Sequence, residues 1–311
     1  MNVSKYRLAA KPGIARSGQY VQTQFKPVII IGKHDKVQKI KIPQPQSLQQ
    51  QIIKPSLPPR NVKRRENKNT KISQHIRKTS REHQQSAYIE KIESLRNVGV
   101  GRILIMVACG PSILEAELQK LKNHPKIDIM SINKPDPRLH PTTYWVFCDE
   151  SQYKRNMELF HDYPGILVNS WSVKARHPRQ ILLKNRSGKG FSKNLTQGFN
   201  IGRSTTYANM QTAFWMNYDK IFIFGCDMAA VENGQPLHFY GTNADVDPKV
   251  RAKRFEKEAE FYLSGAQQMT QQERLKFVFC SSYNKWPFMS HFENLDQKIA
   301  VNKILDLANL K

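Results

Sequence analysis

The hydrophobic pattern of the chain changes near residue 102. Beyond that point, short apolar runs rich in Ile, Val and Phe alternate with longer amphipathic stretches, as strands alternate with helices. This alternation predicts an α/β fold with a doubly wound, mostly parallel sheet that helices cover on both faces. The predicted strands are 103–109, 127–133, 144–148, 165–169, 220–226 and 276–280, and the predicted helices lie near 112–123, 151–161, 204–217, 248–269 and 291–308.

The part of the chain before this alternation has a different composition. Residues 1–71 are rich in Gln, Lys and Pro and hold few apolar side chains for a core. Two apolar runs, 28–31 and 37–42, flank a turn-like Gly-Lys-His-Asp and predict a β-hairpin. The sequence therefore predicts a basic, partly extended N-terminal region ahead of the sheet.

Two further segments connect this region to the sheet and interrupt the alternation. Residues 72–98 have a helical pattern with apolar residues on one face, which predicts a docking helix that leads into a globular domain over 99–311. Residues 172–200 form a long stretch without a clear strand or helix pattern, in which Gly188 and Gly190 stand among several cations. Long segments of this kind are typical of lids, so the pattern predicts a basic lid loop.

Positive charge is concentrated at the N-terminal end. The chain has 311 residues and a formal net charge of +24, and residues 1–96 hold 21 Lys and Arg against 5 Asp and Glu. Such a segment attracts polyanions by releasing counterions, which favours nucleic acid as a partner and an anionic membrane surface second. A solvated tail that only keeps the protein soluble is the alternative. The candidate nucleic-acid contacts are Lys63, Arg64, Arg65 and Lys68.

Apolar runs and cysteines indicate the compartment that we expect. No stretch reaches the 18 to 20 apolar residues of a membrane span, and the first residues lack the apolar core of a signal peptide. Four cysteines without a CxxC pair are no disulfide framework, which favours a reducing compartment. We therefore expect a cytoplasmic protein without a membrane span, and the wide spacing of the cysteines predicts no metal site.

The turn after the first predicted strand is the most informative motif. Gly110 leaves space for a ligand, Pro111 suits the first turn of a helix, and Ser112 is a good capping residue. Free helix amides and the positive end of the helix dipole would then face an anion, so the turn predicts a phosphate site. The complete GxGxxG pattern and the P-loop lysine are both absent. A plain strand-to-helix turn is the alternative.

Polar residues also follow the other predicted strands. Ligands of an open parallel sheet bind beyond the carboxyl ends of its strands, which makes these residues candidates for contacts. Asn133 could hydrogen-bond a base or ribose, and Arg203 could clamp a phosphate. Helix capping is the alternative role for such residues. The candidate contacts to a nucleotide or donor are Gly110, Pro111, Ser112, Asn133, Arg203, Thr205, Thr206, Ser281, Ser282 and Asn284.

Proton transfer requires groups that titrate near the working pH. His238 and Tyr240 lie in a loop that follows a predicted strand ending at Asp227, and histidine titrates near neutral pH. We therefore expect His238 and Tyr240 to act in general acid–base catalysis, with Asp227 and Asp149 as alternative bases or as partners of substrate hydroxyls.

These motifs, taken in order, resemble the bacterial sialyltransferases of glycosyltransferase family forty-two and related Rossmann-like proteins, including archaeal pterin pyrophosphokinase-like domains. The resemblance covers about 103–295. It consists of the Gly-Pro-Ser turn, a strand ending in Asn133, a Ser/Thr-rich helix start, the Gly-Cys-Asp at 225–227, the His-Phe-Tyr-Gly at 238–241, and a last strand that runs into a polar segment with Asn284.

The resemblance implies a Rossmann-like fold and a role for each matched position. Gly110 and Ser112 would hold the nucleotide phosphate, Asn133 the nucleotide, and Thr205 or Thr206 with Asp227 the nucleoside or donor sugar. The segment 281–284 would contact the base. The family's histidine directly after the loop glycine is replaced here by Thr242, so either its role would pass to His238 or the chemistry differs.

The expected function is that of a nucleotide-dependent transferase related to sialyltransferases. It would use a nucleotide-activated donor such as a CMP-sugar without a metal, and the basic N-terminal region suggests a nucleic acid as acceptor, as in DNA modification by bacteriophages. The alternatives are a nucleic-acid-binding protein with an inactive Rossmann-like domain and a pyrophosphokinase-like enzyme. The sequence does not determine the oligomeric state.

Overall fold

The structure is a computed structural model that describes residues 82–229, 237–241 and 247–310. The predicted hairpin within 28–42 and the candidate contacts Lys63, Arg64, Arg65 and Lys68 lie outside the described residues.

The core of the described chain is a sheet of eight parallel strands in the order β10-β9-β8-β1-β2-β3-β4-β5. This arrangement confirms the predicted α/β, Rossmann-like fold. The chain builds outward from β1 to β5 and then crosses back to place β8 on the other side of β1. The strands are β1 Ile103–Val107, β2 Ile127–Ile132, β3 Tyr144–Phe147, β4 Ile166–Ser170, β5 Gln180–Leu183, β8 Lys220–Phe224, β9 Phe277–Cys280 and β10 Glu293–Leu295.

Apolar side chains cover both faces of the sheet. Every residue of β1 is buried, and alternate residues face opposite sides, as the period of a strand requires. Leu104 and Met106 join one apolar cluster, while Ile103, Ile105 and Val107 join another. Burial on both faces explains why the central strands read as continuous apolar runs.

Helices pack on both faces of this sheet. No helix in the described ranges is both long and apolar enough to cross a membrane. The helices are α1 over 82–93, α2 Glu150–Arg155, α3 Met157–His161, α4 Thr205–Trp215, α5 Pro248–Gln268, α6 Gln271–Arg274 and α7 Gln297–Leu310.

The predicted helix near 112–123 is wrong, because two short 3-10 turns replace it, Pro111–Glu115 and Leu118–Leu121. The guanidinium of Arg138 accounts for part of the difference. It donates to the carbonyl of Ile113 at 2.9 Å, so this carbonyl has a partner outside a helix. The predicted helix over 151–161 is likewise divided, into α2 and α3.

The segment 172–200 is integrated into the fold. It forms β5 and a small two-stranded parallel sheet of β6 Asn185–Arg186 with β7 Phe199–Asn200. Its apolar side chains Phe191 and Leu195 are buried in the main core, and none of its residues lines the large cavity described below. The segment is thus more ordered than its sequence pattern indicated, and its role as a basic lid loop stays a prediction. The alternation of apolar residues was too irregular for these short strands to be predicted.

Helix α1 packs against the sheet domain through apolar residues. Ile92 and Leu95 are buried in the main cluster. The indole Nε1 of Trp215 donates to the carbonyl of Ile92 at 3.1 Å, and the hydroxyl of Tyr88 accepts from the backbone N–H of Lys184 at 3.1 Å. The helix is therefore joined to α4 and to the residue after β5.

Truncation of Ile92 tests this packing. We expect Ile92→Ala to lower the free energy of unfolding in urea by about 2–5 kcal/mol, because it removes a fully buried side chain and leaves a cavity. Val100→Ala is the control, since Val100 is exposed and should change the same quantity by less than about 0.5 kcal/mol. Equal effects of the two variants would show that α1 is not part of the cooperative fold.

Candidate functional site

A large open cavity lies at the carboxyl ends of the central strands. Its volume is about 1560 Å³. It lies between β1 and β8, where the order in which the chain adds strands to the sheet reverses, and this is the usual ligand site of doubly wound sheets. Eleven of the fourteen candidate site residues outside the N-terminal region line it. They are Gly110, Pro111, Asn133, Asp149, Arg203, Thr205, Thr206, Asp227, Ser282, His238 and Tyr240.

Asp227 ties the ends of three adjacent strands together. Its carboxylate accepts from the backbone N–H of Ser112 at 2.9 Å, from the hydroxyl of Ser112 at 2.5 Å and from the hydroxyl of Ser281 at 2.6 Å. These residues follow β8, β1 and β9 respectively. A Cβ atom at Gly110 would collide with this carboxylate and with the carbonyl oxygen of Gly225, so the position requires glycine.

This carboxylate changes the interpretation of the Gly-Pro-Ser turn. Ser112 is 0% exposed and directs both its N–H and its hydroxyl to Asp227. A phosphate could reach these donors only if the carboxylate moved. Gly110 and Pro111 do line the cavity, and Gly110 donates its N–H to the carbonyl of Gly225 at 2.8 Å. The predicted phosphate contact at this turn stays a prediction, and its donors are already used.

Four guanidiniums line the cavity and form what we call the arginine cluster: Arg155, Arg203, Arg251 and Arg254. Arg155 lies at the end of α2, Arg203 precedes α4, and Arg251 and Arg254 lie one turn apart on α5. The Nε of Arg254 donates to Glu258 at 2.8 Å. Burial raises the pKa of Glu258, and the nearby guanidiniums oppose this effect.

Arg251 differs from the other three guanidiniums because it is buried. It is 8% exposed, and its Nε has no hydrogen-bond partner among the residues that the structure describes. Burial and the neighbouring Arg254 lower its pKa from the ordinary value. Glu258 opposes this lowering of the pKa, but no carboxylate of the described residues forms an ion pair with Arg251. A buried cation without such a pair is costly, so this position favours a bound anion.

His238 and Tyr240 lie in the described loop segment 237–241, against the end of β1. Their rings stack with centroids 4.9 Å apart, and the N–H of Phe239 donates to the carbonyl of Cys109 at 2.9 Å. Burial and the guanidinium of Arg251 lower the pKa of His238 to about 4. The imidazole is therefore neutral at pH 7, and it is a weaker base than an ordinary histidine.

Two other candidates offer polar atoms to the cavity. The carboxylate of Asp149 is exposed at the start of α2 and accepts no hydrogen bond from the described part of the chain. The Oδ1 of Asn133 is buried and has no partner within the described ranges, while the carbonyl of the same residue accepts from the indole of Trp145 at 2.7 Å. Asn133 has a positive φ of 62°, which turns the chain at the end of β2.

Three candidates support the site without lining the cavity. They are Ser112, Ser281 and Asn284. Asn284 donates to the carbonyl of Cys226 at 2.7 Å and accepts from the N–H of Trp286 at 3.2 Å, so its amide holds the loop after β9 against the loop after β8. Thr205 and Thr206 open α4 at the cavity, where the N-terminal amides of a helix favour negative charge.

The sequence pattern alone gave no sign of a role for Arg155, Arg251 or Arg254. The last two are three residues apart on the helix predicted over 248–269, a spacing that places side chains on one face. Charged residues surround them on that helix, so the pattern looked like a solvated surface. The four cysteines are free and buried, and the described residues hold no group of three or more His, Cys, Asp or Glu arranged for a metal.

Comparison with protein-family models, with curated proteins and with solved structures finds no match for this chain.

Removal of the Asp227 carboxylate tests whether it holds the strand ends together. We expect Asp227→Ala to lower the free energy of unfolding by about 3 kcal/mol, because it leaves the buried donors of Ser112 and Ser281 without an acceptor. The control is Asp149→Ala, in which an exposed carboxylate is lost and the change should stay within about 0.5 kcal/mol. A similar effect of the two variants in urea denaturation would contradict this role.

The lowered pKa of His238 predicts a specific pH dependence of stability. The unfolded chain takes up a proton near the ordinary value of 6.5, whereas folded His238 does so only near 4. His238 therefore does not reduce the free energy of unfolding above pH 6.5, and it lowers this free energy progressively as the pH falls towards 4. We expect the unfolding free energy of His238→Gln to fall less between pH 6.5 and 4 than that of the unmodified protein. Urea denaturation across this pH range measures the difference.

His161→Gln, at an exposed position on α3, serves as the matched control and should follow the unmodified protein. If His238→Gln and the unmodified protein lose stability in parallel between pH 6.5 and 4, then the pKa of His238 is not lowered in the folded state.

Proposed function

We propose that this protein is a nucleotide-dependent transferase of the glycosyltransferase type. It takes a group from a nucleotide-activated donor, such as a CMP-sugar, and moves it to an acceptor that we take to be nucleic acid. The single observation that carries the proposal is Arg251, a buried guanidinium in the cavity wall with an unpartnered Nε in the described structure.

An anionic ligand would offset the cost of this cation. The arginine cluster presents planar donors that suit the oxygens of a phosphate. In a transferase that releases a nucleotide, negative charge develops on the leaving phosphate. Fixed cations at that place lower the barrier without a metal ion.

The position of the cluster supports a nucleotide more than an isolated anion. Asn133 also lines the cavity, and its buried Oδ1 is without a partner among the described residues. An amino group of a base or a ribose hydroxyl that reached this oxygen would supply the missing hydrogen bond. The volume of about 1560 Å³ is large enough for a nucleotide together with part of an acceptor.

We propose Asp149 as the base and assign a different role to His238. The acceptor hydroxyl gives its proton to Asp149 while its oxygen bonds to the donor carbon, and the bond from that carbon to the phosphate oxygen breaks with its electron pair on the phosphate. His238 is neutral in the free protein. A bound phosphate would raise its pKa by offsetting the guanidiniums, so that the ring can donate to the leaving group.

The acceptor follows from the charge of the N-terminal region. With 21 Lys and Arg against 5 Asp and Glu in residues 1–96, this region suits a nucleic acid. The proposal therefore describes a nucleic-acid-modifying enzyme of the kind found in bacterial viruses. Its four free cysteines suit the reducing cytoplasm of a host cell.

Substitution of Arg251 is the test. We expect Arg251→Gln to weaken nucleotide binding about tenfold or more, measured by calorimetry with CMP, UDP and ATP, because a charge-assisted hydrogen bond to phosphate is lost. The same variant should keep or raise the free energy of unfolding, since it removes a buried charge. Lys253→Gln removes an exposed charge from the same helix and is the matched control.

The outcomes separate the candidate functions. Binding of ATP in preference to CMP and UDP would support the pyrophosphokinase-like alternative. No binding of any nucleotide would support a nucleic-acid-binding protein with an inactive domain. If Arg251→Gln lowers stability and leaves the affinity unchanged, the residue is structural and the proposal is wrong.

A further inference from the structure

The side chain of Trp171 is more exposed than is usual for tryptophan. It is 48% exposed, whereas Trp145 is fully buried and Trp215 is nearly so. Tryptophan is large and on average highly buried, so a half-exposed indole that packs beside a second aromatic ring is a candidate contact surface.

The exposed indole is held in a fixed orientation. It stacks on the ring of Tyr88, with centroids 5.3 Å apart and planes 8° from parallel. The backbone N–H of Trp171 donates to the carbonyl of Leu183 at 2.9 Å, which anchors the residue at the end of β5. The hydroxyl of Tyr88 accepts from the N–H of Lys184 at 3.1 Å. The aromatic pair is therefore preorganised and would lose little entropy on binding.

A cation completes this platform. The Nζ of Lys184 lies 5.0 Å from the ring centroid of Trp171 and 5.2 Å from that of Tyr88. Lys184 forms no ion pair with a carboxylate of the described chain, so its charge can meet an external anion. We call Tyr88, Trp171 and Lys184 the aromatic platform.

The platform lies at the same edge of the sheet as the cavity. Trp171 directly follows β4 and Lys184 directly follows β5, at the carboxyl ends of parallel strands. The hydroxyl of Ser172 donates to the carbonyl of Cys148 at 2.8 Å, and Cys148 precedes Asp149 in the chain. A polymer on the platform could therefore extend to the side of the cavity where Asp149 lies.

Positive charge is dense in the sequence that precedes the described helix. Of residues 60–81, nine are Lys or Arg and one is acidic. Residue 82, where the described helix starts, is six residues from Tyr88, or about 9 Å along a helix. Stacking rings beside dense positive charge are the combination that binds single-stranded nucleic acid without strong sequence preference.

We infer that the aromatic platform binds single-stranded nucleic acid, with one base stacked on Trp171 and a phosphate near Lys184. This binding role goes beyond the proposed function. Only the identification of the bound strand as the acceptor rests on that function. A free base has two open faces, whereas a base pair in a duplex stacks on its neighbours, so the platform selects single strands.

The test is binding of a short labelled oligothymidylate to the full chain by fluorescence anisotropy, without any nucleotide donor. We expect Trp171→Ala to weaken binding about 5- to 100-fold, because a base–aromatic stack is lost. Trp171→Phe keeps an aromatic ring and should restore most of the affinity. Leu275→Ala is the matched control, since Leu275 is 46% exposed and precedes β9 at the opposite edge of the sheet.

The salt dependence distinguishes the two parts of the platform. Lys184→Gln should reduce the slope of log affinity against log salt by about 0.7, the value for one phosphate of a single strand, whereas Trp171→Ala should leave this slope unchanged. Equal slopes for Lys184→Gln and the unmodified protein would contradict the phosphate contact.

Three outcomes would overturn the inference. In the first, Trp171→Ala binds oligothymidylate as tightly as the unmodified protein. In the second, Trp171→Phe loses as much affinity as Trp171→Ala. In the third, Trp171→Ala loses as much affinity for a duplex of the same length as for the single strand. Calorimetry with CMP separates the two proposals, since Trp171→Ala should bind CMP normally. A failure of the Arg251 test would remove the transferase proposal and leave the strand-binding result standing.

Discussion

The carboxylate of Asp227 is the constraint on which the cavity depends. It is a buried charge at the point where the strand order of the sheet reverses, and Ser112 and Ser281 satisfy it by donating three hydrogen bonds. Those donors belong to the ends of β1 and β9, on either side of β8. Burial of this charge constrains the cavity floor. Gly110 must lack a side chain, and the turn after β1 does not form a regular helix cap.

This fixed negative charge also determines where an anion can bind. The donors that the sequence predicts for a phosphate at the Gly-Pro-Ser turn are already used by the Asp227 carboxylate, which would repel a phosphate. The compensating cations lie on other elements, because Arg155 ends α2 and Arg251 lies on α5. The cavity thus carries a negative floor and a positive wall, and this polarity would orient any nucleotide with its phosphates towards α5 and away from the turn.

The sequence predicted the strands well because burial on both faces leaves long apolar runs, and it predicted the polar residues that follow them. It could not predict the pairing of Ser112 with Asp227, since these residues are 115 positions apart and only the sheet order brings them together. Short strands such as β5 and β10 were missed for a related reason. Neighbouring strands specify them more than their own three or four residues do. Arg251 was missed because burial, rather than residue type, distinguishes it from the exposed cations around it.

The arginine cluster and His238 can be understood only as one electrostatic unit. Each guanidinium that lowers the pKa of His238 would have its field offset by a bound phosphate, so ligand binding and proton affinity at this ring are coupled. In the free protein the ring is neutral, which avoids a further buried cation beside Arg251. In the proposed transfer, a phosphate bound in the cluster would raise the pKa of this ring, so that the ring could donate a proton to the leaving oxygen. The clustered guanidiniums are thus unfavourable in the free protein and would favour an anionic ligand. Because they lower the pKa of His238 until such a ligand binds, the ring would become a proton donor only in the complex.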